Sequence, residues 1–256
     1  TVNAVPVISA GADVGVCAGT SCTLNATGGS NYTWSPATGL SDPDIANPVA
    51  TPTTTTTYIL TSDNSGCTST DEVVVTVNPQ PNANAGLDVT VCTGESATLN
   101  GSGGISYSWS PATGLSNPNI SNPVANPTMA TTYTLTVTDN NGCTDTDGVI
   151  VTVSASLTAD AGPDISICVG DQDTLMAIGG ATYQWDPATG LSNANIANPI
   201  ANPVNTTTYT VTVSSGICIA TDAVVVVVNP DLQIIPPSDQ IVCEGNSVNL
   251  TASGAL

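Results

Sequence analysis

The sequence predicts an all-β protein, built as a tandem array of small antiparallel β-sandwiches. The main observation is a repeat of about 75 residues, a length typical of a small domain: Trp34, Trp109 and Trp185 each begin nearly the same phrase, WSPATGLS or WDPATGLS. Within each repeat, polar and apolar residues alternate between turns rich in Gly, Asn and Pro, a pattern typical of short strands. No segment shows a helical period. A repeat of this length without helices indicates a row of similar domains.

The second repeat shows the predicted strands in order. Residues 89–91 and 96–99 are two short strands separated by a glycine turn. Residues 107–109 place Tyr and Trp on one face with Ser between them, and residues 132–137 alternate between Thr and larger side chains. Residues 148–153 close the unit. Short strands between tight turns point to an antiparallel sandwich.

The repeat period also predicts the domain boundaries. Short segments, partly proline-rich, separate the units, and proline favours stiff, extended backbone, so we expect consecutive repeats to be held end to end with limited hinge freedom. The predicted segments are the end of a preceding repeat at 1–7, immunoglobulin-like repeats at 8–79, 83–154 and 159–230, and the start of a fourth repeat at 231–256.

The charge of the chain excludes several classes of function. There is no Lys, Arg or His, and the 20 acidic residues give a formal net charge of −20. Nothing in this composition neutralises phosphate, so nucleic acids and anionic membrane surfaces are excluded as partners. The apolar run at 224–228 is too short to insert into a membrane. Without His or Lys there is no ordinary base for a Ser or Cys nucleophile, so we expect no enzyme activity.

The cysteines predict one disulfide per repeat. A unit of about 75 residues buries only about 60% of its unfolded surface and is marginal without a cross-link. Cysteines recur at a spacing of about 50 residues, and a bond across such a loop stabilises by roughly 4 kcal/mol. Zinc needs clusters such as C-x2-C and usually some His, and neither is present. Disulfides indicate an oxidising, extracellular location. The predicted pairs are Cys17–Cys67, Cys92–Cys143 and Cys168–Cys218.

Cys22 has no counterpart in the other repeats, where Ala97 and Asp173 occupy the same position. Two interpretations remain open at this stage. Cys22 is either a free thiol of one repeat, or it pairs with Cys17, with Cys67 or with a cysteine of another chain.

The recurring aromatic residues predict the core of each repeat. Aromatic residues make up only 4% of the chain and Phe is absent, so each core must combine aliphatic side chains with one Trp and two Tyr. A buried Trp on the third strand suits an immunoglobulin-like core. The predicted core residues are Trp34, Trp109, Trp185, Tyr58, Tyr133 and Tyr209.

The combined motifs resemble those of a known family. The string in the second repeat comprises Ala85-Gly86, Asp88, Cys92, Gly94, Tyr107, Trp109, Pro111 to Ser116, Asn122-Pro123, Thr131-Thr132-Tyr133 and Gly142-Cys143. It resembles the PKD-like, immunoglobulin-like repeats of Bacteroidota surface proteins, over essentially the whole chain. The resemblance implies a giant secreted adhesin, similar to those exported by the type IX secretion system, that serves gliding, surface attachment or capture of other cells.

Calcium is the one metal that the composition favours, because hard oxygen ligands are plentiful and no cation balances the acidic surface. In the alternative interpretation, the aspartates cap turns by accepting backbone N–H bonds. The recurring positions are Asp13, Asp88 and Asp164 beside the linkers, and Asp71, Asp147 and Asp222 at the last strand; Asp139 and Asp145 add to the second repeat.

The loop at 34–52 is a second candidate site, because irregular segments of this length are often functional. Its apolar residues either cover the sandwich edge and bury Trp34 or contact neighbouring chains, which would bundle the array into a filament. We therefore predict a structural and adhesive shaft of an extracellular, cell-surface protein. Its partners would be other copies of the chain, or cell-surface and glycan targets. The alternative is an array of carbohydrate-binding modules, which usually present exposed aromatic residues.

Overall fold

The computed structural model describes residues 5, 7–231 and 233–255. All regular structure in these ranges is β, in agreement with the predicted fold class. The predicted end of a preceding repeat, at 1–7, falls mostly outside the described residues. No helix in the described ranges has the length and apolarity needed to cross a membrane.

Each of the three full repeats contains six strands. The first repeat comprises β1 (Val14–Cys17), β2 (Cys22–Thr23), β3 (Asn31–Ser35), β4 (Val49–Ala50), β5 (Thr56–Asn64) and β6 (Cys67–Asn78). The second comprises β7 (Val89–Cys92), β8 (Ala97–Thr98), β9 (Ser106–Ser110), β10 (Val124–Ala125), β11 (Thr131–Thr138) and β12 (Thr144–Ser154). The third comprises β13 (Ile165–Cys168), β14 (Asp173–Thr174), β15 (Thr182–Asp186), β16 (Ile200–Ala201), β17 (Thr207–Ser215) and β18 (Cys218–Asn229). β19 (Gln233–Ile235) and β20 (Ser253–Ala255) form an antiparallel pair after the third repeat.

The strand order is the same in all three repeats. The larger sheet has the order β1-β6-β5-β3, repeated as β7-β12-β11-β9 and β13-β18-β17-β15. β1 runs parallel to the end of β6, whereas β6, β5 and β3 are antiparallel. The smaller sheet pairs β2 with β4, β8 with β10, and β14 with β16. A three-stranded antiparallel sheet of the third and last two strands, with a small facing sheet, is an immunoglobulin-like sandwich.

The alternation predicted from the sequence produces the core. Along β5, Tyr58 and Leu60 are buried while Ile59 between them is exposed. Because side chains alternate with a period of two, one face of the strand supplies the core and the other meets solvent. Leu60 lies opposite Trp34 of β3 in the strand register. All six predicted core residues are almost fully buried: Trp34, Trp109, Trp185, Tyr58, Tyr133 and Tyr209.

The chain divides into two compact units whose limits do not follow the predicted repeats. One unit contains Thr1–Val89 and Glu95–Thr152, and the other contains Thr90–Gly94 and Val153–Leu256. The short segment at 90–94 belongs with the third repeat, since Cys92 is bonded to Cys218.

Candidate functional site: disulfides between successive repeats

The disulfides connect successive repeats. Cys17 of the first repeat is bonded to Cys143 of the second, and Cys92 of the second to Cys218 of the third. Each bond joins residues 126 apart in sequence. The predicted pairs within repeats, Cys17–Cys67, Cys92–Cys143 and Cys168–Cys218, are therefore wrong.

The parallel pairing of the first and last strands explains the correction. Cys17 ends β1 and lies beside Asn78, at the end of β6 where the chain leaves the repeat. Cys67 begins the same long strand, eleven residues earlier, which corresponds to about 36 Å at ~3.3 Å per residue. A disulfide requires Cα atoms within about 7 Å. The third repeat has the same register, with Cys168 beside Asn229 and Cys218 at the start of β18.

The bonded Cys143 is presented by a turn that Asp139 organises. The Asp139 carboxylate accepts hydrogen bonds from the backbone N–H groups of Asn141 and Cys143, both at 2.8 Å. Gly142 has a φ of +80°, a left-handed conformation that glycine adopts without the steric cost of a Cβ. Asp139, a candidate calcium ligand, thus binds backbone and positions the cysteine of the cross-link.

Two recurring aspartates in each repeat tie its first segment to its last strand. In the second repeat, Asp147 Oδ2 accepts the Ala85 N–H and Asp88 Oδ1 accepts the Ile150 N–H, both at 2.8 Å. Asp145 Oδ2 also accepts the Ala83 N–H at 2.8 Å. The equivalent bonds, also of 2.8 Å, are Ala10 N to Asp71, Val74 N to Asp13, Ala161 N to Asp222 and Val225 N to Asp164.

These hydrogen bonds favour the structural interpretation of the aspartates. Donation from the Ala85 N–H, and then from the Gly148 N–H, lowers the pKa of Asp147 below its ordinary value. The Ala161 and Ala223 N–H groups lower the pKa of Asp222 in the same way. Within the described residues, no three His, Cys, Asp or Glu side chains come close enough together to hold a metal ion. Calcium binding by these aspartates stays a prediction.

Asp147→Ala is expected to lower the unfolding midpoint of the second repeat by about 5 °C, because the N–H of buried Ala85 loses its acceptor. The pKa of Asp147 is lower in the folded protein than in the unfolded chain, where it is about 3.9. The contribution of Asp147 to the stability of the fold is therefore complete above the unfolded pKa, and it is lost as the pH falls through the folded pKa. Calorimetry from pH 6 to 2 should show the two proteins converging in acid. Glu95→Ala, an exposed change of equal charge in the same repeat, is the control. An equal effect of both substitutions would contradict the assignment.

The loop at 34–52 closes over the Trp of its own repeat. The Trp34 Nε1–H donates to the Ile45 carbonyl at 3.0 Å, and the Tyr58 hydroxyl donates to the Thr38 carbonyl at 3.0 Å. The same two bonds occur in the other repeats, from Trp109 to Ile120, Tyr133 to Thr113, Trp185 to Ile196 and Tyr209 to Thr189. The loop begins with a cis Ser35-Pro36 peptide bond. It therefore covers and hydrogen-bonds the core aromatics, as the structural interpretation predicts.

The loop nevertheless leaves two apolar side chains exposed in each repeat. Ile45 and Val49 are 43% and 41% exposed in the first repeat. Contact of these residues with neighbouring chains stays a prediction. The equivalent pairs are Ile120 with Val124 and Ile196 with Ile200.

The aromatic residues form no exposed platform for a sugar. The three Trp and three of the six Tyr are buried in the cores. The other tyrosines are half-buried, and their hydroxyls donate to glycine carbonyls: Tyr32 to Gly29, Tyr107 to Gly104 and Tyr183 to Gly180. This placement of all the aromatic side chains argues against the carbohydrate-binding alternative.

Cys22 is a free thiol on β2. It is half-buried against the core of the first repeat, and desolvation by burial raises its pKa. It is not bonded to Cys17, which pairs with Cys143. A raised pKa and partial burial both reduce the reactivity of a thiol.

Comparisons with known proteins return tandem immunoglobulin domains. No family model and no curated protein matches the chain. A three-domain fragment of titin is 14% identical, with a TM-score of 0.44, over 85% of this chain and 96% of that chain. Extracellular domains 3–5 of Drosophila OTK are 12% identical, with a TM-score of 0.41, over 88% and 95%. The eight N-terminal immunoglobulin domains of Down Syndrome Cell Adhesion Molecule are 12% identical, with a TM-score of 0.42, over 97% and 40%.

Proposed function

We propose that this chain is a stiff structural spacer in the shaft of an extracellular adhesive protein. The observation that supports the proposal is the cross-linking of each repeat to the next, at the same separation of 126 residues in both bonds. Tandem immunoglobulin-like domains are typical of structural and adhesion proteins. The bonds here add covalent connections between successive repeats, beside the backbone.

The two bonds overlap along the sequence, and this overlap limits how far the array can extend. Cys92 lies between Cys17 and Cys143, and Cys143 lies between Cys92 and Cys218, so each bond has one cysteine inside the loop that the other closes. The shortest covalent path from Cys17 to Cys218 crosses both bonds and follows the backbone only between Cys92 and Cys143. Without the bonds, the same path follows the backbone all the way from Cys17 to Cys218. While the bonds are intact, unfolding of the first or third repeat therefore releases little length, and unfolding of the second releases only the segment between Cys92 and Cys143.

The composition suits a surface location. Disulfides persist in oxidising, extracellular environments. The net charge of −20 without any cation favours solubility and opposes non-specific binding to other acidic surfaces. The motif resemblance extends the proposal to a giant adhesin of Bacteroidota exported by type IX secretion and attached to the cell surface. Other copies of the chain, or targets on a cell surface, would be its partners.

Single-molecule stretching between the two ends of the chain tests the spacer. The bonds shorten the path by about 150 residues, so the reduced chain should extend about 500 Å further than the oxidised chain, at ~3.5 Å per residue. A Cys22→Ala chain is the control, because its free thiol takes no part in either bond. Equal extension of the oxidised and reduced chains would contradict the proposal. Tight binding of one glycan by all three repeats would favour the carbohydrate-binding alternative.

A further inference from the structure

The third repeat contains a third copy of the cysteine site that is bonded in the first two repeats. Cys168 ends β13 beside Asn229, as Cys17 ends β1 beside Asn78. Cys168 is exposed, whereas the equivalent bonded Cys92 is only 8% exposed. Cys17, which is also bonded, is half-buried, so Cys168 is the most exposed of the three equivalent cysteines.

The backbone around Cys168 already has the conformation of the bonded sites. The N–H of the residue after the cysteine donates to the end of the last strand, from Val169 to the Asn229 carbonyl at 3.1 Å. The turn that follows also closes, by a bond of 3.0 Å from the Asp171 N–H to the Cys168 carbonyl. The corresponding bonds in the bonded sites are Ala18 N to Asn78 O at 2.8 Å, Thr93 N to Ser154 O at 2.9 Å and Thr20 N to Cys17 O at 2.9 Å.

Cys168 also lines an open cavity of about 490 Å³. Polar groups that can bind a backbone turn surround the thiol. The residues include Ser166, Gly170, Gln172, Asp173 and Asn229. The exposed thiol, the preformed backbone and the cavity coincide at the position where the other repeats are bonded to the cysteine that follows the glycine turn of the next repeat, Cys143 after Gly142 and Cys218 after Gly216.

We infer that Cys168 is the docking and cross-linking site for the cysteine that follows the glycine turn of a completed fourth repeat. The spacing of the two observed bonds places the partner cysteine 126 residues after Cys168. The bond forms when the Cys168 thiolate displaces one thiol from a small disulfide oxidant and the partner thiolate then displaces the other. The two cysteines are oxidised, and the oxidant is reduced to two thiols.

The inference rests on the proposed function and deepens it. Cys143 and Cys168 are close in sequence, since only β12, the linker and β13 lie between the two thiols. With Cys168 bonded, a force applied at Cys17 would act through the Cys17–Cys143 bond, along the short backbone segment from Cys143 to Cys168, and through the bond of Cys168. A second path, through Cys92 and Cys218, would run alongside it.

The test is a lengthened chain, in which residues 1–256 are followed by a copy of residues 106–154. This addition completes the fourth repeat with the complementary part of the second, and it gives the new cysteine the same separation from Cys168 as in the two observed bonds. Peptide mapping without reduction should find Cys168 bonded to the new cysteine. Alkylation of Cys168, complete in the original chain, should be lost. A lengthened chain with alanine in place of the new cysteine is the matched control, and in it Cys168 should again be alkylated.

Three results would overturn the inference. They are continued alkylation of Cys168, a bond from the new cysteine to Cys243, or a bond to Cys168 of a second molecule. The Cys17–Cys143 and Cys92–Cys218 bonds are mapped in the same digest. If they are present while Cys168 stays reduced, this inference fails and the proposed function stands; if they are absent, the proposed function fails.

Discussion

Replacing both Cys17 and Cys143 by alanine is expected to destabilise the first two repeats by on the order of 5 kcal/mol. The bond closes a loop of 126 residues, and the loss of loop-closure entropy in the unfolded chain grows with the logarithm of that length. Without the bond, the first repeat should unfold in a transition of its own at lower temperature, whereas the second repeat stays cross-linked to the third through Cys92 and Cys218. Calorimetry of the oxidised proteins measures both effects.

Cys22→Ala is the matched control for the double substitution. It removes a half-buried cysteine from the first repeat without breaking a bond. Its effect should be a small fraction of that of the double alanine variant. Equal unfolding midpoints for the wild type and the double variant would show that the cross-link does not stabilise the repeats.

Trp109→Ala is expected to destabilise the second repeat by about 3–5 kcal/mol, the usual cost of removing a large buried aromatic side chain. Trp109 is almost fully buried and faces Leu135 in the strand register. Its Nε1–H also anchors the following loop through the Ile120 carbonyl. The substitution therefore leaves a cavity and releases the loop. Urea unfolding, monitored by the fluorescence of Trp34 and Trp185 and by circular dichroism, should show a new early transition.

Two further substitutions separate the packing effect from other causes. Met129→Ala removes an exposed side chain from the same repeat and should change stability by less than about 0.5 kcal/mol. Trp109→Phe keeps most of the ring but loses the donor to Ile120, so it should be intermediate. If Trp109→Ala were as mild as Met129→Ala, the Trp would not be central to the core.

The strands and the core were predictable because they depend on local pattern. Alternation within each strand decides which side chains face inward, and it identified the buried face of β11 correctly, from Tyr133 to Val137. The repeated phrase after Trp109 likewise marked a loop that closes over its own repeat. The backbone carbonyls that receive the Trp and Tyr donors could not be identified, because such bonds depend on how the loop folds back.

The cysteine pairing could not be decided from spacing. In an array of near-copies, the separation between the two cysteines of one repeat recurs in every repeat. The separation between cysteines of successive repeats recurs in the same way, so the spacing fits pairing within repeats and pairing between repeats equally well. The register of β1 on β6 decides between them, since it places Cys17 beside the last residue of β6, whereas Cys67 is its first. The aspartates were ambiguous for a related reason. Asp147 meets the Ala85 N–H only once the first segment packs on the last strand.

The sequence by itself determined that this chain is a row of all-β domains, which residues form their cores, and that it carries 20 acidic residues and no Lys, Arg or His. These properties follow from composition and from periodicities that act along a few neighbouring residues. The tertiary structure decided that the cysteines join successive repeats and that the recurring aspartates bind backbone amides. Both depend on contacts between segments far apart in sequence, whose partners are chosen by strand register in three dimensions.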